Sequence, residues 1–148
     1  MKARVKLAEG MTFVAESGSG HAIVIDAAPD IGGRNLGPRP MELLLMGLGG
    51  CTSIDVMLIL RRAREKVVDC VVELDADRAP TDPKVFTEIR MRYVVSGHGL
   101  DRAKVERAIK LSEDKYCSAT AILSGTAKIT HTLDLVEIGD GSAVSPEG

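Results

Sequence analysis

Two cysteines stand where thiol chemistry is possible. Cys51 follows Gly49-Gly50 in an apolar helical stretch, and Cys117 falls where one helical pattern gives way to a short one, Ala119 to Leu123. A cysteine at a helix N-terminus has its thiolate stabilised by unpaired backbone N–H groups and the helix dipole. Cys117 suits that setting; Cys51 suits it only if the glycines break the helix. At its reference pKa of about 8.5 a thiol is only a few per cent ionised at pH 7, so such activation would matter. On spacing alone, a reactive thiol and an inert buried one both stay open at each position. Cys70 lies on the apolar face of a strand pattern between Val68 and Val72 and reads as a small core hydrophobe. His131, also on an apolar strand face, reads as a hydrogen-bonded core histidine.

Other chemistries lack their residues. There is no Cys-x-x-Cys pair, and His21, His98 and His131 are scattered, so no metal is expected. No Ser-His-Asp order and no phosphate-cradling glycine loop is framed by a strand and a helix, so no cofactor is expected either.

The elements that must carry these residues follow from hydrophobic period. Residues 3–8 and 11–16 alternate around Glu9-Gly10, and His21 to Asp26 alternates after Ser17-Gly18-Ser19-Gly20, which predicts a three-strand meander. A long loop, residues 27–40, carries Gly32, Gly33, Gly37 and three prolines. From Pro40 to about Glu65 apolar residues cover every side of a helix, which predicts burial on most of its surface. Gly47, Gly49 and Gly50 imply close backbone packing there or a local break. Residues 67–76 and 85–95 predict paired strands. The first puts Val68, Cys70, Val72, Leu74 and Ala76 on one face; the second puts Val85, Thr87, Ile89, Met91, Tyr93 and Val95 on one face. Asp101 is a plausible N-cap for a helix with the stripe Val105, Ala108, Ile109, Ser112 and Tyr116. A last strand spans 127–137, and a tail from Gly139 reads as disordered. Grouped strands argue for an α+β fold of antiparallel sheets around a long buried central helix, as one domain over residues 1–138.

Composition narrows the setting. The 148 residues are 45% hydrophobic and 27% charged but only 3% aromatic, so Val, Ile, Leu, Met and Ala must build the core. Nineteen basic against twenty-one acidic side chains give a net charge of −2, which offers nothing to nucleic acid or an anionic membrane. The first residues alternate charged and apolar, so no secretory signal is expected. The longest uncharged apolar run, Leu43 to Ile54, is shorter than the roughly 20 residues of a membrane span. Three well-separated cysteines fit a reducing cytoplasm. The all-round apolar helix calls for a homodimer.

The segment Gly37-Pro38-Arg39-Pro40-Met41-Glu42-Leu43-Leu44-Leu45, followed by Gly49-Gly50-Cys51-Thr52-Ser53-Ile54-Asp55, resembles the central helix of the OsmC/Ohr superfamily. Leu111 to Ser118 resembles its second-cysteine segment. Ala3 to Phe13 and Ile129-Thr130-His131-Thr132 are similar to the YhfA-like branch. The resemblance spans about residues 1–138. It implies an intertwined homodimer and thiol-based reduction of organic or small hydroperoxides. Cys51 would be the attacking thiolate that becomes a sulfenic acid. Cys117 would be the resolving thiol that closes a disulfide, reopened by an external dithiol.

Supporting residues match that pattern less well. Ohr-type members place a Glu ten residues before the reactive cysteine; here Met41 occupies that position and Glu42 stands nine before. Nine residues on a straight helix rotate about 900°, to the opposite face, so Glu42 joins Cys51 only if the helix bends. Asp55 shares the face of Cys51, where a bare carboxylate disfavours a thiolate; Arg62 is a geometric candidate for its basic partner. Ohr-type members also resemble one another in an arginine in the first hairpin turn, whereas this turn reads Glu9-Gly10-Met11-Thr12. Arg39 and Lys115, and more weakly Arg34, are the candidate cations; without one, peroxide reduction is expected to be slow. The alternative function is a non-enzymatic or redox-sensing dimer of the same fold that binds a small molecule, since fold alone does not fix function.

Overall fold

The computed structural model describes residues 1–139, so the tail expected to be disordered falls, apart from Gly139, outside the described residues. The chain divides into two compact units, Met1–Met46 and Gly47 onward.

In the first unit β1 (Ala3–Glu9), β2 (Thr12–Ser17) and β3 (Ala22–Asp26) form the expected antiparallel meander in that order. Gly10 takes a left-handed φ of 59° in the first turn, a conformation glycine adopts at least cost. The loop after β3 is tied down by Asp26, which is only 1% exposed. Its carboxylate accepts the backbone N–H groups of Ala27 (2.8 Å), Arg34 (3.0 Å) and Leu36 (3.1 Å). Those bonds, led by the one from Leu36, hold the Asp26 carboxyl below the usual carboxylate range.

Helix α1 (Pro40–Arg62) begins with proline in its first turn, and the Glu42 carboxylate reaches back to the Arg39 N–H at 2.8 Å. It then runs without a break. The glycines therefore do not interrupt it. Gly49 instead packs closely on Leu74: a Cβ there would lie 2.8 Å from Leu74 Cδ1, the far end of a side chain that would have to shift, while Gly47 and Gly50 face open space.

From Gly47 onward the second unit adds β4 (Lys66–Arg78), β5 (Phe86–His98), α2 (Arg102–Leu111), a π-turn (Ser112–Tyr116), α3 (Ser118–Leu123) and β6 (Lys128–Glu137). The sheet order is β4-β5-β6. The Asp101 carboxylate caps α2 by accepting the Ala103 N–H at 2.9 Å. The core takes Leu48, Thr52, Val56 and Leu60 from one stripe of α1, Ile89, Met91, Tyr93 and Val95 from β5, and Val105, Ala108 and Ile109 from α2.

Several expectations are corrected. The class is α+β, but β6 pairs parallel to β5, because α2, the π-turn and α3 carry the chain back before β6 starts. Within one chain α1 buries Leu48, Gly49, Thr52, Val56 and Leu60, whereas Ile54 is 70% exposed, so the burial expected over most of its surface is not supplied by the chain itself. Val68 leaves the face of Cys70 because the β4/β5 register shifts between Val67 and Asp69. A second shift, between Asp77 and Arg78, buries Phe86 and leaves Thr87 exposed. Tyr116 leaves the α2 stripe because the π-turn widens the last turn, and it is half-exposed.

By length and composition alone α1 could cross a membrane, with a mean hydropathy of 2.0 in its most apolar window. Core helices of soluble proteins share that property, and α1 supplies the core stripe of the second unit while carrying Asp55 near its middle.

Candidate functional site

The fold brings three sequence-predicted residues together. Cys51 and Asp55 stand one turn apart on the same face of α1, and Cys117 is the N-cap of α3. The two sulfurs and a carboxylate oxygen of Asp55 all lie within 4.8 Å of one another. Cys51 and Asp55 are half-buried, and Cys117 is buried. All three cysteines are free thiols. This trio is also a set of side chains able to hold a metal ion.

Cys117 is fixed by backbone. Its N–H donates to the Ser112 carbonyl at 2.8 Å, closing the π-turn, and its sulfur accepts the Thr120 N–H at 3.4 Å. Burial first, and the adjoining Cys51 thiol second, push the Cys117 thiol up; the Thr120 hydroxyl and N–H oppose this. Cys51 sits in mid-helix, where backbone N–H groups are already bonded, so it has no helix N-terminus to stabilise a thiolate.

A buried chain of hydroxyls sets the third member. Ser112 Oγ donates to Asp55 Oδ2 at 3.1 Å. With its proton committed, Ser112 can only accept from Thr52 Oγ1, 3.1 Å away, and Thr52 must then accept from the Tyr93 hydroxyl at 2.6 Å. Tyr93, Thr52 and Ser112 are fully buried. Burial, opposed by the bond to Thr52, pushes the Tyr93 hydroxyl well above its ordinary pKa, so it remains a donor. The chain links β5, α1 and the end of α2, and it ends on the carboxylate beside the thiols. In the sequence Thr52 and Tyr93 carry no signal of a functional role, and Ser112 falls on an apolar stripe. A polar residue on a buried stripe must find a partner, which was the available signal.

The remaining candidates lie elsewhere. Glu42 and Arg39 pair with each other at the start of α1, at 2.8 and 3.5 Å, as a helix cap. The unbroken helix sets Glu42 half a turn around from Cys51. Lys115 Nζ rests over the Tyr116 ring, 5.3 Å from its centroid. Arg34 reaches Glu9 at 3.2 Å and Thr12 at 3.5 Å, so the long loop supplies a cation at the first hairpin turn, where the turn residues have none. Asp55 forms no ion pair among the described residues. Arg62, its expected partner, shares with it only the lining of a cavity of about 260 Å³ with Leu58, Ile59, Leu111 and Tyr116. Cys70 is half-buried on β4, where burial and then Asp69 raise its thiol pKa. His131 is not a core residue: its side chain is 31% exposed and pairs with Glu113 at 2.9 Å, its ring edge-on to Tyr93.

A family model described as OsmC-like protein matches residues 32–132. Protein YhfA of Escherichia coli K12 is 44% identical over 136 residues, which cover 92% of this chain and 98% of that protein. The crystal structure of a hypothetical protein from Aquifex aeolicus VF5 superposes with a TM-score of 0.82 at 29% identity, over 93% of this chain and 97% of that one. An organic hydroperoxide resistance protein from Elizabethkingia anophelis, crystallised with thiocyanate, shares the fold at a TM-score of 0.66 and 16% identity, over 90% and 94% of the two chains.

Breaking the hydroxyl chain in its middle has a defined cost. Thr52→Val leaves the buried Tyr93 hydroxyl without its bond to Thr52 and is expected to destabilise the protein by about 1–3 kcal/mol. Tyr93→Phe removes a donor but orphans no acceptor completely, and should cost less. Urea unfolding of the two variants and the double variant checks this; the double should cost less than the sum of the singles.

Proposed function

The chain belongs to the OsmC-like protein family, and from that premise we propose that it reduces organic or small hydroperoxides through Cys51 and Cys117, with its two units acting as one domain over residues 1–138. The observation that carries this reading is the approach of the two thiols, from different elements, within 4.8 Å. Their environments suit different roles. Cys51 is half-exposed and open to substrate, whereas burial disfavours ionisation of the enclosed Cys117.

In the first step the Cys51 thiolate attacks a peroxide oxygen. The S–O bond forms, the O–O bond breaks, and the leaving alkoxide takes a proton to depart as alcohol. The Cys117 thiol then attacks the sulfenic sulfur, closing a disulfide and releasing water. An external dithiol restores both thiols by exchange. The hydroperoxide resistance named for the Elizabethkingia protein, which shares the fold, is in keeping with this chemistry. The working form is a cytoplasmic homodimer. Its second copy would cover the apolar surface that one chain leaves open at Ile54, Met57 and Leu58 on α1, beside Val67 of β4.

With a small dithiol as reductant, Cys51→Ser is expected to lose at least about 100-fold in peroxide consumption. Cys117→Ser should leave a sulfenic acid at Cys51 that a dione reagent traps. Full turnover by Cys51→Ser would sink the assignment. A single oxidation without turnover by the unaltered protein would favour the redox-sensing alternative.

Light scattering should give twice the 15.8 kDa chain mass at micromolar concentration, and Ile54→Asp should shift it toward the monomer. A monomer whose melting is independent of concentration would contradict the dimer.

A further inference from the structure

We propose that the reduced site is also a metal site, in which Cys51, Cys117 and Asp55 hold a zinc-class divalent cation. Metal-ligand spacing is not visible in the sequence, because the ligands converge only through the fold: two from one face of α1 and one from the cap of α3. On a tetrahedral zinc ion with bonds of about 2.3 Å to sulfur, two sulfurs stand about 3.8 Å apart. The three donor atoms, all within 4.8 Å of one another, reach tetrahedral separations by closing through about 1.3 Å or less.

Charge argues the same way. Asp55 has only the Ser112 hydroxyl as a partner, with no ion pair among the described residues. A divalent cation would supply the opposite charge that Asp55 lacks. Two thiolates and one carboxylate are soft enough to select zinc-class ions over magnesium or calcium, which take oxygen donors.

The outer partners that such a site needs are already placed. Ser112 occupies Asp55 Oδ2 and leaves Oδ1 free of hydrogen bonds among the described residues, and Ser112 is itself held by Thr52 and Tyr93. The Thr120 N–H is directed at the Cys117 sulfur. Hydrogen bonds of this kind orient ligands and typically change metal affinity 10- to 100-fold. Three protein ligands leave a fourth position for water. The site is a labile one, distinct from a closed structural zinc centre.

Binding replaces two S–H bonds with two metal–sulfur bonds and releases two protons. Oxidation of the pair to a disulfide by a hydroperoxide consumes two protons, yields alcohol and water, and expels the cation. Metal occupancy would therefore report the reduced state and protect Cys51 from attack. Binding to the reduced protein does not depend on the peroxidase reading.

The test uses the reduced, metal-free full chain without peroxide. Titration with Co²⁺ should give sulfur-to-cobalt charge-transfer absorption and intense tetrahedral d–d bands, saturating at one ion per chain. Zn²⁺ should bleach them by displacing cobalt, and in a separate titration of the metal-free protein each zinc ion bound should release two protons. Cys51→Ser and Cys117→Ser should each lower the charge-transfer intensity by about half and the affinity at least tenfold. Asp55→Asn should weaken binding at least about tenfold and Ser112→Ala roughly 10- to 100-fold; Cys70→Ser should change neither spectrum nor affinity. Circular dichroism of each variant confirms folding before titration. Absence of charge-transfer bands in the unaltered protein, or bands that persist at full intensity in either site-cysteine variant, would overturn the proposal, whatever the outcome of the peroxide assays.

Discussion

A run of buried hydroxyls, from Tyr93 through Thr52 and Ser112 to Asp55, ties together the elements that carry the two thiols. Buried polar groups that lose a partner are costly, so this chain tolerates few alternative arrangements. Thr52 adjoins Cys51 on α1, and Ser112 opens the π-turn whose last bond is the Cys117 N–H. Fixing Thr52 against Ser112 therefore fixes the spacing of Cys51 and Cys117. Two thiols from different elements are thus held near each other by neighbouring hydroxyls and backbone. The direction of the donors matters as well, since every proton in the chain points toward Asp55.

That direction shapes the electrostatics. Asp55 receives its hydrogen bond from a neutral group, so the local charge balance is left to the thiols and to whatever binds them. The helix offers no help at Cys51, which lies in its middle. The backbone does help at Cys117, through the Thr120 N–H, but burial works against it there. The two cysteines thus differ in kind: one accessible and unassisted, the other assisted and enclosed.

Much of this arrangement is legible in the sequence, for physical reasons that also mark where legibility ends. The meander, the N-cap at Asp101 and the start of α1 at Pro40 rest on local period and capping chemistry, and they appear as read, although α1 ends at Arg62, before Glu65. The pairing of Cys51 with Asp55 follows from a four-residue spacing on one helix. Features set by tertiary packing were not readable. Periodicity shows that α1 is apolar on every side but does not tell which side a chain's own sheet covers. The outward turn of Tyr116 depends on one π-turn, and the departures of Val68 and Thr87 depend on single register shifts. The cation at the first hairpin comes from Arg34, far along the chain, because Asp26 folds the long loop back through backbone hydrogen bonds. The hydroxyl chain was hidden for a related reason: each member is an ordinary polar residue until its partners are known.

Cys51 and Cys117 are proposed as a working pair from which Cys70 is excluded. The most direct measurement is peptide mapping by mass spectrometry after one equivalent of an organic hydroperoxide is added to the fully reduced protein. The expected result is a single disulfide joining Cys51 to Cys117 in each chain, two thiols lost per peroxide consumed, and Cys70 recovered as a free thiol. A disulfide that includes Cys70, or a product in which Cys51 is oxidised while Cys117 stays free, would contradict it.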